Sequence, residues 1–119
     1  MHELAVAERL LEIVEQEARP YAGARVVRIS LKIGQLSAVV PDALRFAFAA
    51  ISRGGVAENA ALEIEEVPLS IRCHACAEVF HVEDPFMVCP QCGGCDVELV
   101  SGRELEITSM EIEDGDKAG

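Results

Sequence analysis

The apolar positions of the chain follow two periods. In "ELAVAERLLEIVEQEAR", Val6, Ala7, Leu10, Ile13, Val14 and Ala18 recur at three- and four-residue spacing, with Glu8, Glu12 and Glu15 opposite. That is the stripe of an amphipathic helix. Glu3 suits the positive end of the helix dipole, and Pro20 and Gly23 end the element. "ARVVRISLKIG" switches to a period of two: Val27, Ile29, Leu31 and Ile33 face one way, Arg28, Ser30 and Lys32 the other. This predicts a strand with one buried face, closed by "GQLS". "PDALRFAFAAISRGG" returns to the helical period through Leu44, Ala47, Phe48 and Ile51. Pro41 and Asp42 fit its first turn and Gly54-Gly55 its stop.

"AALEIEEVPLSIRC" reads as one strand, with Leu62 and Ile64 alternating against Glu63 and Glu65, and it runs into a cysteine-rich segment. "SGRELEITSMEIE" alternates through Leu105 and Ile107, then changes phase at Met110 and Ile112, as a bulge would cause. The order helix, strand, helix, strand, cysteine segment, strand predicts an α+β fold. Residues 1–70 and 98–113 form a discontinuous helix-and-sheet domain, and 71–97 form an inserted metal-binding domain. The polar tail 114–119 is expected to be disordered.

Composition narrows the function classes. The chain has 119 residues, half of them hydrophobic but only 4% aromatic, so its core is aliphatic. The net charge of −11 disfavours nucleic acid, which needs a surplus of Lys and Arg. It suits a basic partner or cation handling, or simply keeps the chain in solution. No apolar run approaches the roughly 18 residues of a membrane span, and no secretory leader opens the chain. The expected location is the cytoplasm, where disulfides rarely persist.

Five cysteines crowd between residues 73 and 95. Cys73 and Cys76 form one C-x-x-C pair, and Cys89 and Cys92 a second, with twelve residues between. Each pair makes a knuckle that aims two thiolates at one ion, and two knuckles make the tetrahedral S4 cage that zinc prefers. Iron in such a cage, and hence electron transfer, is an alternative, as are a disulfide or free thiols. A short hairpin in "AEVFHVEDPFMV" would join the knuckles, with Val79, Phe80, Phe86 and Val88 as its small core. Four protein ligands leave no open position, so the site is structural. Cys95 reads as a free thiol beside the cage or as a replacement ligand. His74 and His81 read as solvated surface residues, the thiolate set being complete without them. No nucleophile–base signature or phosphate-cradling loop is present, so an enzyme is not expected.

The chain opens "MHE". A free α-amine with a pKa of about 8 can surrender its proton to a metal near neutrality. With the His2 amide nitrogen and imidazole it closes adjoining chelate rings, and the Glu3 amide can supply a fourth corner. An all-nitrogen planar set favours Ni(II) or Cu(II). The alternative is a zinc-ribbon interaction module in which "MHE" is incidental.

Taken together, "MHELAVAERLLEIVE", "VVRISLKIGQLSAVVPDALRFAF", C-x-x-C followed by "CPQCG", and "SGRELEITSMEIE" resemble the HypA (HybF) hydrogenase maturation factors over nearly the whole chain. The resemblance implies a nickel-binding α/β domain with an inserted zinc-ribbon-like domain. It implies a nickel metallochaperone that binds Ni(II) through the His2 side chain and backbone nitrogens of Met1, His2 and Glu3. Zinc would be held by Cys73, Cys76, Cys89 and Cys92. The implied partners are the GTPase HypB and the large subunit of [NiFe]-hydrogenase, and some relatives also serve urease maturation. The implied protein is a monomer or homodimer. Cys95 stands outside the family pattern. An acidic ligand that some relatives place after the first strand has no counterpart at Val39 and Val40.

Overall fold

The structure, a computed structural model, describes residues 3–83 and 87–113. Met1, His2, Phe86 and the tail lie outside the described residues, with the expectations attached to them. The element order is α1 (Glu3–Ala18), β1 (Arg25–Gly34), a 3-10 turn (Gln35–Ser37), α2 (Pro41–Ile51), β2 (Ala61–Val67), β3 (Ser70–Cys73), β4 (Glu78–His81), β5 (Val97–Ser101) and β6 (Leu105–Glu113). The fold is α+β, with two three-stranded sheets ordered β2-β1-β6 and β4-β3-β5. No described helix is long and apolar enough to cross a membrane.

The chain divides into two compact units: the described residues within 1–31, 39–64 and 107–119, and those within 32–38 and 65–106. All five cysteines lie in the second, which is wider than the expected 71–97 segment.

In the first unit α1 packs on α2. Ala7, Leu10, Val14 and Ala18 are buried from α1, as are Leu44 and Phe48 from α2 and Ile29 and Leu31 from β1. The helical stripe and the strand alternation therefore point into the core as their periods require. Val26 is buried too, on the opposite parity, because its N–H bonds to the Val56 carbonyl at 2.9 Å and the buried Ala57 follows beside it. On the polar face, Arg28 of β1 reaches Glu63 of β2 at 3.3 Å and Glu111 of β6 at 3.1 Å. In β6, Ile107 is half-buried, Thr108 and Ser109 are exposed, and Met110 and Ile112 are half-buried, which is the phase change expected from the sequence. Leu105, expected to face inward, is instead exposed.

In the second unit β3 is the central strand, antiparallel to both β4 and β5. The expectation of one strand across residues 60–73 is corrected here: it breaks at Pro68-Leu69 into β2 and β3. Pro68 has no N–H to continue a ladder. The break is held by side chains: Leu69 N–H donates to Gln35 Oε1 at 2.8 Å, and Ser101 Oγ donates to the Pro68 carbonyl at 2.8 Å. The expected hairpin between the knuckles is also corrected. β4 pairs back onto β3, so the first knuckle sits at the hairpin turn, and β5, which sequence reading missed, supplies the third strand. Val79 and Val88, expected as core, are 48% and 40% exposed. The buried side chains of this unit include Ile33, Leu69, Ser70, Ile71, Cys73 and Cys89.

Candidate metal centre

Two turns of the same construction bring four cysteines together. Cys73 ends β3, and the chain turns through His74–Ala77 before β4 begins. The Ala77 N–H closes this turn on the Cys73 carbonyl at 2.8 Å, with Ala77 in the left-handed region at φ 58°. In the second knuckle Gly93 N–H bonds to the Cys89 carbonyl at 2.9 Å, with φ 74°. Within each turn the second cysteine's N–H points at the first cysteine's sulfur: Cys76 N to Cys73 Sγ and Cys92 N to Cys89 Sγ, both 3.4 Å.

The ligand sulfurs of Cys73, Cys76, Cys89 and Cys92 all lie within 4.8 Å of one another. Cys73 Sγ is 3.7 Å from Cys92 Sγ, and Cys76 Sγ is 3.9 Å from Cys89 Sγ. A zinc–sulfur distance of about 2.3 Å in a regular tetrahedron puts sulfurs about 3.8 Å apart, so the cluster fits zinc. Each close pair joins one knuckle to the other, as a shared ion requires.

The knuckles differ in how many donors they aim at sulfur. Cys89 Sγ also accepts the Gln91 N–H, and Cys92 Sγ accepts the Gly94 N–H, both at 3.4 Å. The amide of Cys92, aided by that of Gln91, draws the Cys89 thiol down to about 7. Burial, with hydrogen bonding among the clustered thiols, pushes Cys76 up to about 12. For Cys92 the Gly94 amide acts downward, but the bonds to Cys89 and Cys73 outweigh it and the net direction is up. A cation at the centre would relieve this crowding by replacing protons with one shared charge.

Cys95 is exposed and outside the cluster. His74 is outside the cluster, its Nε2 3.6 Å from Glu98 Oε1, a carboxylate also reached by Arg72 at 3.4 Å. His81 pairs through Nδ1 with Ser70 Oγ at 3.0 Å, across the register pair that joins β3 to β4. Met1 and His2 lie outside the described residues. Glu3, in the first turn of α1, accepts the Val40 N–H on Oε2 at 3.1 Å, tying the helix start to the residue that precedes α2. Asp42 sits in the first turn of α2 and pairs with Arg45.

The fold and the cage define a small α+β metalloprotein built around a four-cysteine site that fits structural zinc. The chain's likenesses to known proteins narrow this further. The family model described as hydrogenase/urease nickel incorporation metallochaperone, HypA, matches residues 1–112. The chain is 42% identical to the hydrogenase maturation factor HypA of Albidiferax ferrireducens, over 95% of this chain and all of that protein. It is 45% identical to the HypA of Roseiflexus sp., over 96% and 94%. Among solved structures it is similar to the Ni metallochaperone HypA from Helicobacter pylori, with a TM-score of 0.63, 26% identity and coverage of 93% and 97%. The chain belongs to the HypA family of nickel metallochaperones of hydrogenase maturation.

Proposed function

We propose that this chain captures Ni(II) at its own amino terminus and delivers it to the large subunit of [NiFe]-hydrogenase in the cytoplasm, working with the GTPase HypB. The observation that carries the reading is a family match that begins at residue 1, on a chain opening Met-His-Glu. The donors there suit the cargo: the Met1 amine, the His2 amide and imidazole, and the Glu3 amide form an all-nitrogen set that nickel prefers. An open chain terminus can release its ion more readily than a closed cage. The Glu3 carboxylate is engaged with Val40, so Glu3 contributes through its backbone nitrogen.

Cys73, Cys76, Cys89 and Cys92 hold Zn(II) in this reading. With four protein ligands the zinc supplies folding energy to the second unit and no open position for catalysis. The protein is accordingly a carrier and not an enzyme.

The test is metal content and nickel binding on untagged protein with its native Met1, beside His2→Ala. One zinc per chain in both, with tight nickel binding in the native protein alone, is the expected result. Equal nickel binding by the two proteins would overturn the reading and leave a zinc-ribbon adaptor.

A further inference from the structure

A cleft between α1 and β6 opens onto a free strand edge. β6 stands at one end of the β2-β1-β6 order, so one row of its N–H and C=O groups has no strand neighbour among the described residues. A cavity of about 390 Å³ lies beside it, lined by Ile13, Glu17 and Tyr21 on one side and by residues 107–110 and Ile112 on the other. The side chains of a strand alternate between its faces, so a cleft on one face alone would touch every second residue. Four consecutive residues line this one, and it therefore reaches the strand's edge. Its walls are apolar: Ile13, Ile107, Met110 and Ile112 are half-buried, and Tyr21 is 56% exposed. Its charge is of one sign. Glu17 is exposed and has no hydrogen bond or ion pair among the described residues. β6 adds Glu106, Glu111 and Glu113 and carries no Lys or Arg, and of these Glu111 is paired, with Arg28 at 3.1 Å.

We propose that this edge takes an extended segment of another protein with a lysine or arginine at every second position. The segment adds to β6 as a further strand of the sheet. Main-chain hydrogen bonds along the free edge hold it, and the cleft selects its side chains. A basic side chain suits such a cleft because it is apolar along its stem and charged at its tip. Its methylene groups lie along Ile13 and Ile112, and its charge reaches Glu17, with the Tyr21 ring as a second attraction for the cation. The carboxylate of Glu17 has no partner to give up, so the new pair forms without breaking an old one. A second copy of this chain is the wrong occupant. It would set its own Glu106, Glu111 and Glu113 against the same strand, and like charges opposed across a strand pair are destabilising. The charge of the edge thus excludes self-pairing and favours a basic partner. Nothing in this docking depends on where nickel binds.

The experiment is fluorescence anisotropy of a dye-labelled peptide of alternating lysine and threonine, titrated with the untagged, zinc-loaded full chain. Beside it stand a peptide of the same composition with its lysines in one block, and a neutral peptide with glutamine for lysine. The variants are Glu17→Lys, Glu17→Gln and Tyr21→Ala, with Glu8→Lys as the charge-matched control. Glu8 is nine residues from Glu17, about half a turn around α1. Zinc content and circular dichroism confirm that each variant folds. Saturable binding of the alternating peptide is expected, weakening with salt. Glu17→Lys should raise the dissociation constant at least about tenfold, Glu17→Gln and Tyr21→Ala less, and Glu8→Lys hardly at all. Methylating one alternate set of peptide amide nitrogens should abolish binding and methylating the other should not, because a strand turns every second N–H toward its neighbour. Equal losses in Glu17→Lys and Glu8→Lys would leave a general attraction of opposite charges and overturn the proposal. So would equal binding of the block or the neutral peptide, indifference to both methylated sets, or no saturable binding. Self-association of the chain that protects the β6 amides from hydrogen exchange would assign the edge to a second copy and equally reject it.

Discussion

Ala77 and Gly93 hold the same place in the two knuckles. Each follows the second cysteine, each has a positive φ, and each donates its N–H to the carbonyl of the first cysteine. Only Gly93 is the residue that this conformation favours. An L side chain at positive φ costs about 1–2 kcal/mol, so the first knuckle is strained at Ala77. Glycine also raises the entropy of the unfolded chain, which offsets part of the relief. The expected outcome for Ala77→Gly is full zinc content with unchanged or slightly raised thermal stability. Gly93→Val forces a β-branched residue into the same region and should lower zinc affinity at least about tenfold. Competition with a chromophoric chelator measures both.

Gly34 and Gly102 meet backbone to backbone. A Cβ on Gly34 would lie 2.1 Å from the carbonyl carbon of Gly102, and no flexible side chain is there to move aside. The approach is sealed by Gly34 N–H to the Glu104 carbonyl at 2.7 Å and Leu36 N–H to the Gly102 carbonyl at 2.8 Å. Gly34→Ala should therefore destabilise by about 3 kcal/mol or more in urea denaturation. Gln35 is the control within the same segment. Gln35→Ala removes the acceptor of the Leu69 N–H and should cost about 1–3 kcal/mol, whereas Gln35→Glu keeps an acceptor and should cost less.

These two pairs mark the limit of what the sequence discloses. The knuckles are local: C-x-x-C spacing dictates its own turn, so all four clustered cysteines are readable from residue spacing alone. The helices and β1 are likewise local, because their periods report one buried face. Strand pairing is not local. That residues 97–101 pair with β3 depends on segments distant in the chain, and so do the exposure of Val79 and the break after Val67. "VELVS" alternates like a strand, but its length of five residues is too short to stand out. Gly34 and Gly102 look like ordinary loop glycines until the fold sets their backbones against each other.

Zinc loading should strengthen with pH across the neutral range. In the metal-free cage Cys89 sits at about 7, below the ordinary 9, while Cys76 is at about 12 and Cys92 is also raised. The thiolate is the ligand, so binding near pH 7 expels protons from Cys76 and Cys92, and acid competes with zinc. Isothermal titration in buffers of different ionisation enthalpy should show that proton release. The metal-free fold obeys the opposite signs of these shifts. The contribution of Cys89, whose folded pKa is lowered, is present above pH 9 and lost as the pH falls through 7. The contribution of Cys76, whose folded pKa is raised, is full below pH 9 and lost as the pH rises toward 12. Urea midpoints of metal-free protein across this range check both.

Cys95 separates a ligand from a bystander on chemical grounds. It lies three residues past Cys92 and is exposed, yet its sulfur is outside the group of four. Cys76, by contrast, is partly buried and sits 3.9 Å from Cys89. If the cage is complete without Cys95, Cys95→Ser should leave one zinc per chain and an unchanged chelator half-time. Cys76→Ser should lose zinc and unfold the second unit, because removing one thiolate leaves three ligands crowded around a weakened ion. The informative case is Cys92→Ser with Cys95 intact. Cys73, whose sulfur lies 3.7 Å from that of Cys92, and Cys89 are both buried and accept amide hydrogen bonds, which hold them against a shift toward a new fourth ligand. Cys95 would have to travel to them, and the Gly94 carbonyl is already bound to the Cys89 N–H at 2.9 Å. Zinc affinity in Cys92→Ser should therefore match Cys92→Ser/Cys95→Ser. A tighter site in the single variant would show that Cys95 can replace Cys92 in the cage.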